Sequence, residues 1–288
     1  MDELVSYLYN TDPKHIIIGE EDVNLLIVGD KSQTPTAIRL LLLTIGSAAP
    51  ITDQTIALLR KRYRDDIIFR QLFQCGKAMA SATGIPFLMV GYQTHPFDGN
   101  KIEAAFLDAM TFMVRNIYPV NKQEQAVIYK SSDFVSYLYD MMGVRYTDAG
   151  TDKEKNKSVA DLFHVWSRAK LSSHIVKQDF DAIYHNGTQF AMIEVKRSPT
   201  KTLAAWAPYS NDKRNYDIQN QISKMLHAPF YTLHHNGGPC DGATPIGCYH
   251  VLDVNLRKCE SWIQYRKSII TAEKMLHILN QEPEPGLL

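Results

Sequence analysis

Apolar residues in the first half of the chain fall in short runs, His15 to Ile18, Asn24 to Val28 and Pro86 to Val90. Between them lie longer stretches, around 53–80 and 100–117, in which apolar positions recur at helical spacing. Short apolar runs bounded by polar residues fit buried strands, and the three-to-four spacing fits amphipathic helices. The alternation predicts an N-terminal α/β region over 1–147, of unknown fold, with substrate recognition or dimerisation as its expected role.

The segment from Thr147 to Lys157 contains no large apolar residue, so it adds nothing to a core and marks a linker or a helix start. A domain boundary is expected there, with a second domain over 148–288. From Ser158 onward Val159, Leu162, Phe163, Trp166, Ala169 and Leu171 predict one amphipathic helix. Two β-rich runs follow, His174 to Tyr184 and Gln189 to Lys196, separated by His185-Asn186-Gly187-Thr188. Asn and Gly tolerate the positive φ of a tight turn, so the pair reads as a hairpin. A helix over 213–227, strands at Phe230–His234 and Gly247–Asn255, and a helix over 260–280 complete the expected order.

Val5-Ser-Tyr-Leu-Tyr9 recurs identically as Val135-Ser-Tyr-Leu-Tyr139. Nothing around the two pentapeptides matches at the same offset, which favours two similar amphipathic helices over a duplication.

Composition narrows the class. The 288 residues correspond to about two domains, and 45% apolar with 22% mixed charge excludes a disordered, collagen-like or coiled-coil chain. Lys plus Arg equals Asp plus Glu, 31 against 31, so no global positive field draws in a polyanion and any nucleic-acid contact must come from local patches. Four cysteines are too few for a disulfide scaffold and suit a reducing compartment. MDELVSYLYN has acids where a secretory signal needs bases, and the Ala37–Ile45 run is too short to span a bilayer. An intracellular protein without membrane association is the expectation.

The chemistry concentrates on the hairpin. Glu194 and Lys196 share one face of the second strand, and an antiparallel return brings Glu194 toward Asp181. Two carboxylates beside an ammonium group can hold Mg²⁺ or Mn²⁺ through hard oxygen donors and place an amine next to the attacking water. The Val195 carbonyl, between the two side chains, is a further candidate ligand.

Asp181-Ala-Ile-Tyr, the turn, and Gln189-Phe-Ala-Met-Ile-Glu194-Val-Lys196 resemble the core motif of the PD-(D/E)xK nuclease superfamily. The resemblance spans about 154–255. It implies a restriction-endonuclease-like core, a mixed sheet flanked by helices, in the C-terminal half, with Asp181 and Glu194 as metal ligands and Lys196 as the group that activates water. It also implies an acid on the preceding helix and a polar residue on the following one, for which Glu154 and Gln221, or Gln219, are the matches. Phe180 replaces the motif's proline, and Asp179, two residues earlier on the same expected face, is an alternative ligand to Asp181. The reaction implied is metal-dependent hydrolysis of DNA phosphodiesters by a restriction, defence or structure-specific endonuclease, with RNA cutting or a catalytically silent binding module as alternatives. A double-strand cutter commonly works as a two-fold dimer, so a homodimer is among the expected partners.

Neighbouring residues extend the picture. Arg197, Lys201, Lys213 and Arg214, interleaved with Trp206 and Tyr209, form a candidate nucleic-acid contact surface. Arg60-Lys-Arg-Tyr-Arg64 is a second basic cluster, offset by Asp65 and Asp66. His234, His235, Cys240 and Cys248 have no zinc-module spacing and read as a Gly-rich turn with incidental cysteines. His164 reads as a helix-surface histidine, with a supplementary metal ligand as the alternative. Phosphate loops, nucleophile elbows and His-Glu-x-x-His motifs are all missing from the sequence.

Overall fold

A computed structural model describes residues 1–20, 22–52, 55–94, 104–119, 125–145, 162–171, 173–199 and 201–281. Its helices are α1 (Glu3–Thr11), α2 (Thr55–Asp65), α3 (Ile67–Thr83), α4 (Ala104–Ala109), α5 (Ser131–Met142), α6 (Leu162–Lys170), α7 (Lys213–Met225) and α8 (Ala272–Asn280). The strands are β1 (Ile16–Ile17), β2 (Val23–Asp30), β3 (Ala37–Ser47), β4 (Phe87–Gln93), β5 (Thr111–Tyr118), β6 (Val127–Lys130), β7 (Ile175–Asp179), β8 (Ala182–His185), β9 (Phe190–Arg197), β10 (Phe230–His235), β11 (Pro245–Val254) and β12 (Ile263–Thr271). They form two mixed sheets flanked by helices, an α/β architecture.

The chain divides into two compact units, Gly19–Asp179 and Met1–Ile18 together with Phe180–Leu288. This differs from the expected division at 147/148. The first eighteen residues join the C-terminal part because Ile16 and Ile17 pair with Tyr184 and Ile183. The other boundary moves to 179/180 because β7 is an edge of the first sheet, antiparallel to β2. The 147–157 segment and Glu154 lie outside the described residues.

In the Gly19–Asp179 unit the strand order is β6-β5-β4-β3-β2-β7, with β3 and β4 parallel and the other neighbours antiparallel. β2 and β3 are buried on both faces, which is why they read as continuous apolar runs rather than alternating ones. One face packs Leu42, Val90 and Phe112 against Phe134 of α5 and Phe163 and Trp166 of α6. The other receives α3, where Gly76 allows close approach: a Cβ there would lie 2.5 Å from the Phe87 ring and 3.1 Å from Leu25. The α3 N-terminus is capped by Asp66, whose carboxylate accepts the Phe69 N–H at 2.9 Å. The same carboxylate, with Asp22, fixes Arg62: Nε donates to Asp66 at 2.9 Å and NH1 to Asp22 at 2.8 Å.

In the other unit the order is β1-β8-β9-β10-β11-β12, with β9 and β10 parallel and joined through α7. α7 packs on β9, β10 and β11, whereas α8 packs on β11 and β12 and against α1. The Asn-Gly turn forms as expected, with Gly187 at φ 100° and Asn186 Oδ1 accepting the Thr188 and Gln189 N–H groups.

Three element expectations change. The 174–184 run is two strands, β7 and β8, broken at Phe180-Asp181 and paired in different sheets. The 100–117 stretch yields the short α4 and then β5. The 260–280 stretch begins as the edge strand β12 before α8, since Ile263, Tyr265, Ile269 and Ile270 suit a strand and pair with β11. Both copies of the repeated pentapeptide are helical, in α1 and α5.

Candidate active site

β9 lies inside its sheet, antiparallel to β8 and parallel to β10, so its backbone is held from both sides. Strand alternation sends Glu194 and Lys196 to the face covered by α7, where the partners across the parallel ladder are Thr232 and His234. The register Ala182↔Ile193 puts Asp181 next to Glu194, at the point where the chain enters β8. Asp181 Oδ2 accepts the Val195 N–H at 2.6 Å. The strand break separates the two aspartates: Asp179 ends β7 in the other sheet, paired with Leu26.

Glu194 is only 4% exposed, and a carboxylate so buried needs compensating partners. Lys196 Nζ lies 2.7 Å from Oε1, and Gln219 Nε2 donates to Oε2 at 2.6 Å. Asp212, just before α7, lies 3.3 Å from the same ammonium. Burial works against the charge on Lys196, but Glu194, with support from Asp212, outweighs it and raises the lysine pKa above its ordinary range. Lys196 is thus a cation and a hydrogen-bond donor at neutral pH. Tyr216, one turn before Gln219, has its phenol pKa raised by burial, with the Lys196 charge opposing.

The α7 residue that reaches Glu194 is Gln219, which corrects the choice of Gln221. A helix turns about 100° per residue, so positions two apart face different ways, and Gln221 instead donates to Asp217 Oδ1 at 3.1 Å. The sequence did carry a signal: Gln219 sits three residues from both Tyr216 and Ile222, which share its burial.

The carboxylate pair offers hard oxygen donors of the kind Mg²⁺ and Mn²⁺ take. Lys196 and Gln219 use part of Glu194's acceptor capacity, and a carboxylate has about four lone-pair sites. Gln219 Oε1 is buried and has no hydrogen-bond partner among the described residues. Its orientation is fixed because the amide nitrogen must face Glu194. An orphaned buried oxygen beside a buried carboxylate is satisfied by a cation or by water in its coordination shell, so the residues fit a hydrated divalent ion.

The expected nucleic-acid residues have different surroundings. Arg197 alternates to the opposite face from Lys196 and approaches Glu3 of α1 at 3.7 Å. Lys201 is exposed, with its ammonium 5.1 Å from the Tyr209 ring centroid. Lys213 donates to the Lys258 carbonyl at 2.8 Å, and the partly buried Arg214 follows it on α7. Trp206 is not a free stacking platform: it is 1% exposed, stacked on His234 at 4.6 Å between centroids, and its carbonyl accepts from the Tyr249 hydroxyl at 2.6 Å. Burial, then His235 and Lys267, lower the His234 pKa to about 4.

Of the four residues of the zinc alternative, Cys240 Sγ lies 3.8 Å from His235 Nδ1, and the other two point elsewhere. His234 and His235 alternate across β10, and Cys248 Sγ faces Met275 at 3.9 Å. His235 also meets Asp2 and Glu3, whose ligand-type atoms and its own lie within 4.8 Å of one another. His235 Nε2 is already paired with Asp2 Oδ2 at 2.9 Å, and Nδ1 accepts the Gly237 N–H at 3.2 Å. His164 lies in α6, in the Gly19–Asp179 unit that contains neither Glu194 nor Lys196, and burial followed by Lys177 and Arg168 lowers its pKa to about 3. Among the described residues no helix is long and apolar enough to cross a membrane. Compared with family models, curated proteins and solved structures, the chain matches none.

Proposed function

We propose that the protein is a metal-dependent phosphodiester hydrolase, an endonuclease acting on DNA through a restriction-endonuclease-like core in the unit that carries β8, β9 and α7. The observation that supports this reading most is the grouping of Asp181, Glu194 and Lys196 at one end of adjoining strands, with the buried Gln219 amide on Glu194. Asp181, Glu194 and the Val195 carbonyl would hold Mg²⁺ or Mn²⁺, which supplies charge neutralisation at the scissile phosphate and a more acidic attacking water.

Lys196 carries the remaining role. As an ammonium it donates to the attacking water or to a non-bridging phosphate oxygen, favouring the charge that builds there. Gln219 keeps the Glu194 carboxylate in one orientation, and Asp212 holds the lysine against it until substrate competes for the ammonium.

The test is incubation of the full chain with plasmid, linear duplex, branched DNA and single-stranded RNA, in Mg²⁺, Mn²⁺ or EDTA, beside Glu194→Ala and Lys196→Ala. Scission that needs the metal and disappears in both variants supports the reading. Cutting of RNA in preference to DNA reassigns the substrate, and equal residual activity in all three proteins removes the reading.

A further inference from the structure

The Gly19–Asp179 unit contains a cavity of about 310 Å³ between α2, α3 and the β4–β5 face of the sheet. Phe69, Phe73, Met89 and Met113 line its floor with Leu59, and Tyr63 forms a wall. Gly91 lies on the same face as Met89, and Met113 and Leu59 approach it closely: a Cβ there would lie 3.3 Å from Met113 and 3.7 Å from Leu59. The Tyr63 ring meets the edges of Phe73 at 5.3 Å and Phe69 at 6.0 Å, a preferred aromatic geometry that holds the wall in place.

The charge lies at the mouth. Arg60 of α2 and Arg115 of β5 line the cavity and are exposed, and neither has an acidic partner among the described residues. Arg62, two residues from Arg60 on the same helix, shows the contrast, since Asp22 and Asp66 occupy its guanidinium. The basic cluster thus separates into a structural arginine and one that faces a cavity.

The polar inventory selects the occupant. Among the described lining residues other than the two arginines, the one polar side-chain atom is the Tyr63 hydroxyl, which accepts from the exposed Gln74. A nucleobase seated there would bury several donors and acceptors without partners, at a cost no stacking contact offsets easily. A molecule with an apolar body and one terminal carboxylate buries none: its body covers Phe69, Phe73 and the methionines, and its carboxylate meets two guanidiniums. We infer that this unit binds an apolar monocarboxylate, of the medium-chain alkanoate or arylalkanoate class, with Arg60 and Arg115 as head-group partners. The inference does not rest on the hydrolytic reading.

Titration calorimetry of the full chain with decanoate, with decanol as the neutral analogue and with a short single-stranded oligonucleotide, tests it in wild type and in the double variant Arg60→Ala/Arg115→Ala. Both arginines are exposed, and a thermal melt of the variant checks that it folds. The expected result is saturable decanoate binding at one site, decanol weaker by about tenfold or more, and decanoate weakened by about tenfold or more in the variant. No decanoate binding, equal binding of decanoate and decanol, or decanoate binding untouched by the substitutions overturns the inference. Oligonucleotide binding that the double variant abolishes, without decanoate binding, overturns it in favour of phosphate contacts.

Discussion

The Gln219 amide nitrogen and Glu194 Oε2 stand 2.6 Å apart in an environment where neither residue is more than 4% exposed. Removing the donor leaves one carboxylate oxygen buried without it. Gln219→Leu is therefore expected to destabilise the fold by about 1–3 kcal/mol, read from the urea midpoint, and to lower the proposed metal-dependent scission while leaving the Glu194–Lys196 pair in place.

Lys196 responds to two acids of unequal weight. Glu194→Gln is expected to lower its pKa strongly and Asp212→Asn mildly, which side-chain NMR of labelled lysine can read. Its folded pKa is raised above the ordinary 10.5, so its stabilising contribution is complete below that pH and fades only as the solution becomes more alkaline. Neutral-range stability should carry no pH dependence from this group.

Asp2 titrates the other way. Burial alone would raise its pKa, but the His235 ring and the Leu4 and Val5 N–H groups draw it below the ordinary 3.8. The stability it supplies is present above 3.8 and disappears as pH falls through the lower folded value. Asp2→Ala also removes the α1 N-cap and should cost about 1 kcal/mol at pH 7. The gap between variant and wild type, measured by urea denaturation, should close as the pH falls below 3.8.

Arg62 offers a different contrast. Its guanidinium bonds Asp22, Asp66 and the Gly46 carbonyl together, and the point charge of lysine cannot span those three. Arg62→Lys is expected to lower stability by about 1–2 kcal/mol, whereas Arg60→Lys, on the exposed side of the same helix, should leave the melting temperature unchanged. Differential scanning calorimetry of the two distinguishes them.

Local chemistry was legible in the sequence where one residue type decides it. Asn186-Gly187 gave the turn, the alternation along β9 put Glu194 and Lys196 on one face, and the apolar spacing from Leu162 to Lys170 gave α6. The break at Phe180-Asp181 was not legible, because both halves are good strand sequence and their separation depends on β2 and β9, remote in the chain. The same holds for Ile263–Thr271, which becomes a strand through its pairing with β11. Trp206 looked available from composition, and only the stacking on His234 and the anchored loop carbonyl show otherwise. The two glutamines of α7 could have been sorted by their spacing from Tyr216.

The unit that holds Glu194 is written in two pieces, one on each side of Gly19–Asp179. Leu4, Leu8, Ile16 and Ile17 are made before Gly19–Asp179, yet the β-ladder partners of Ile16 and Ile17, Tyr184 and Ile183, lie more than 150 residues further along the chain. The whole of Gly19–Asp179 is therefore synthesised before the ladder partners of Ile16 and Ile17 exist. A clone that starts at Phe180 would retain the acid-and-lysine triplet but forfeit the β1 edge and the Asp2–His235 pair, so expression trials should preserve the leading segment.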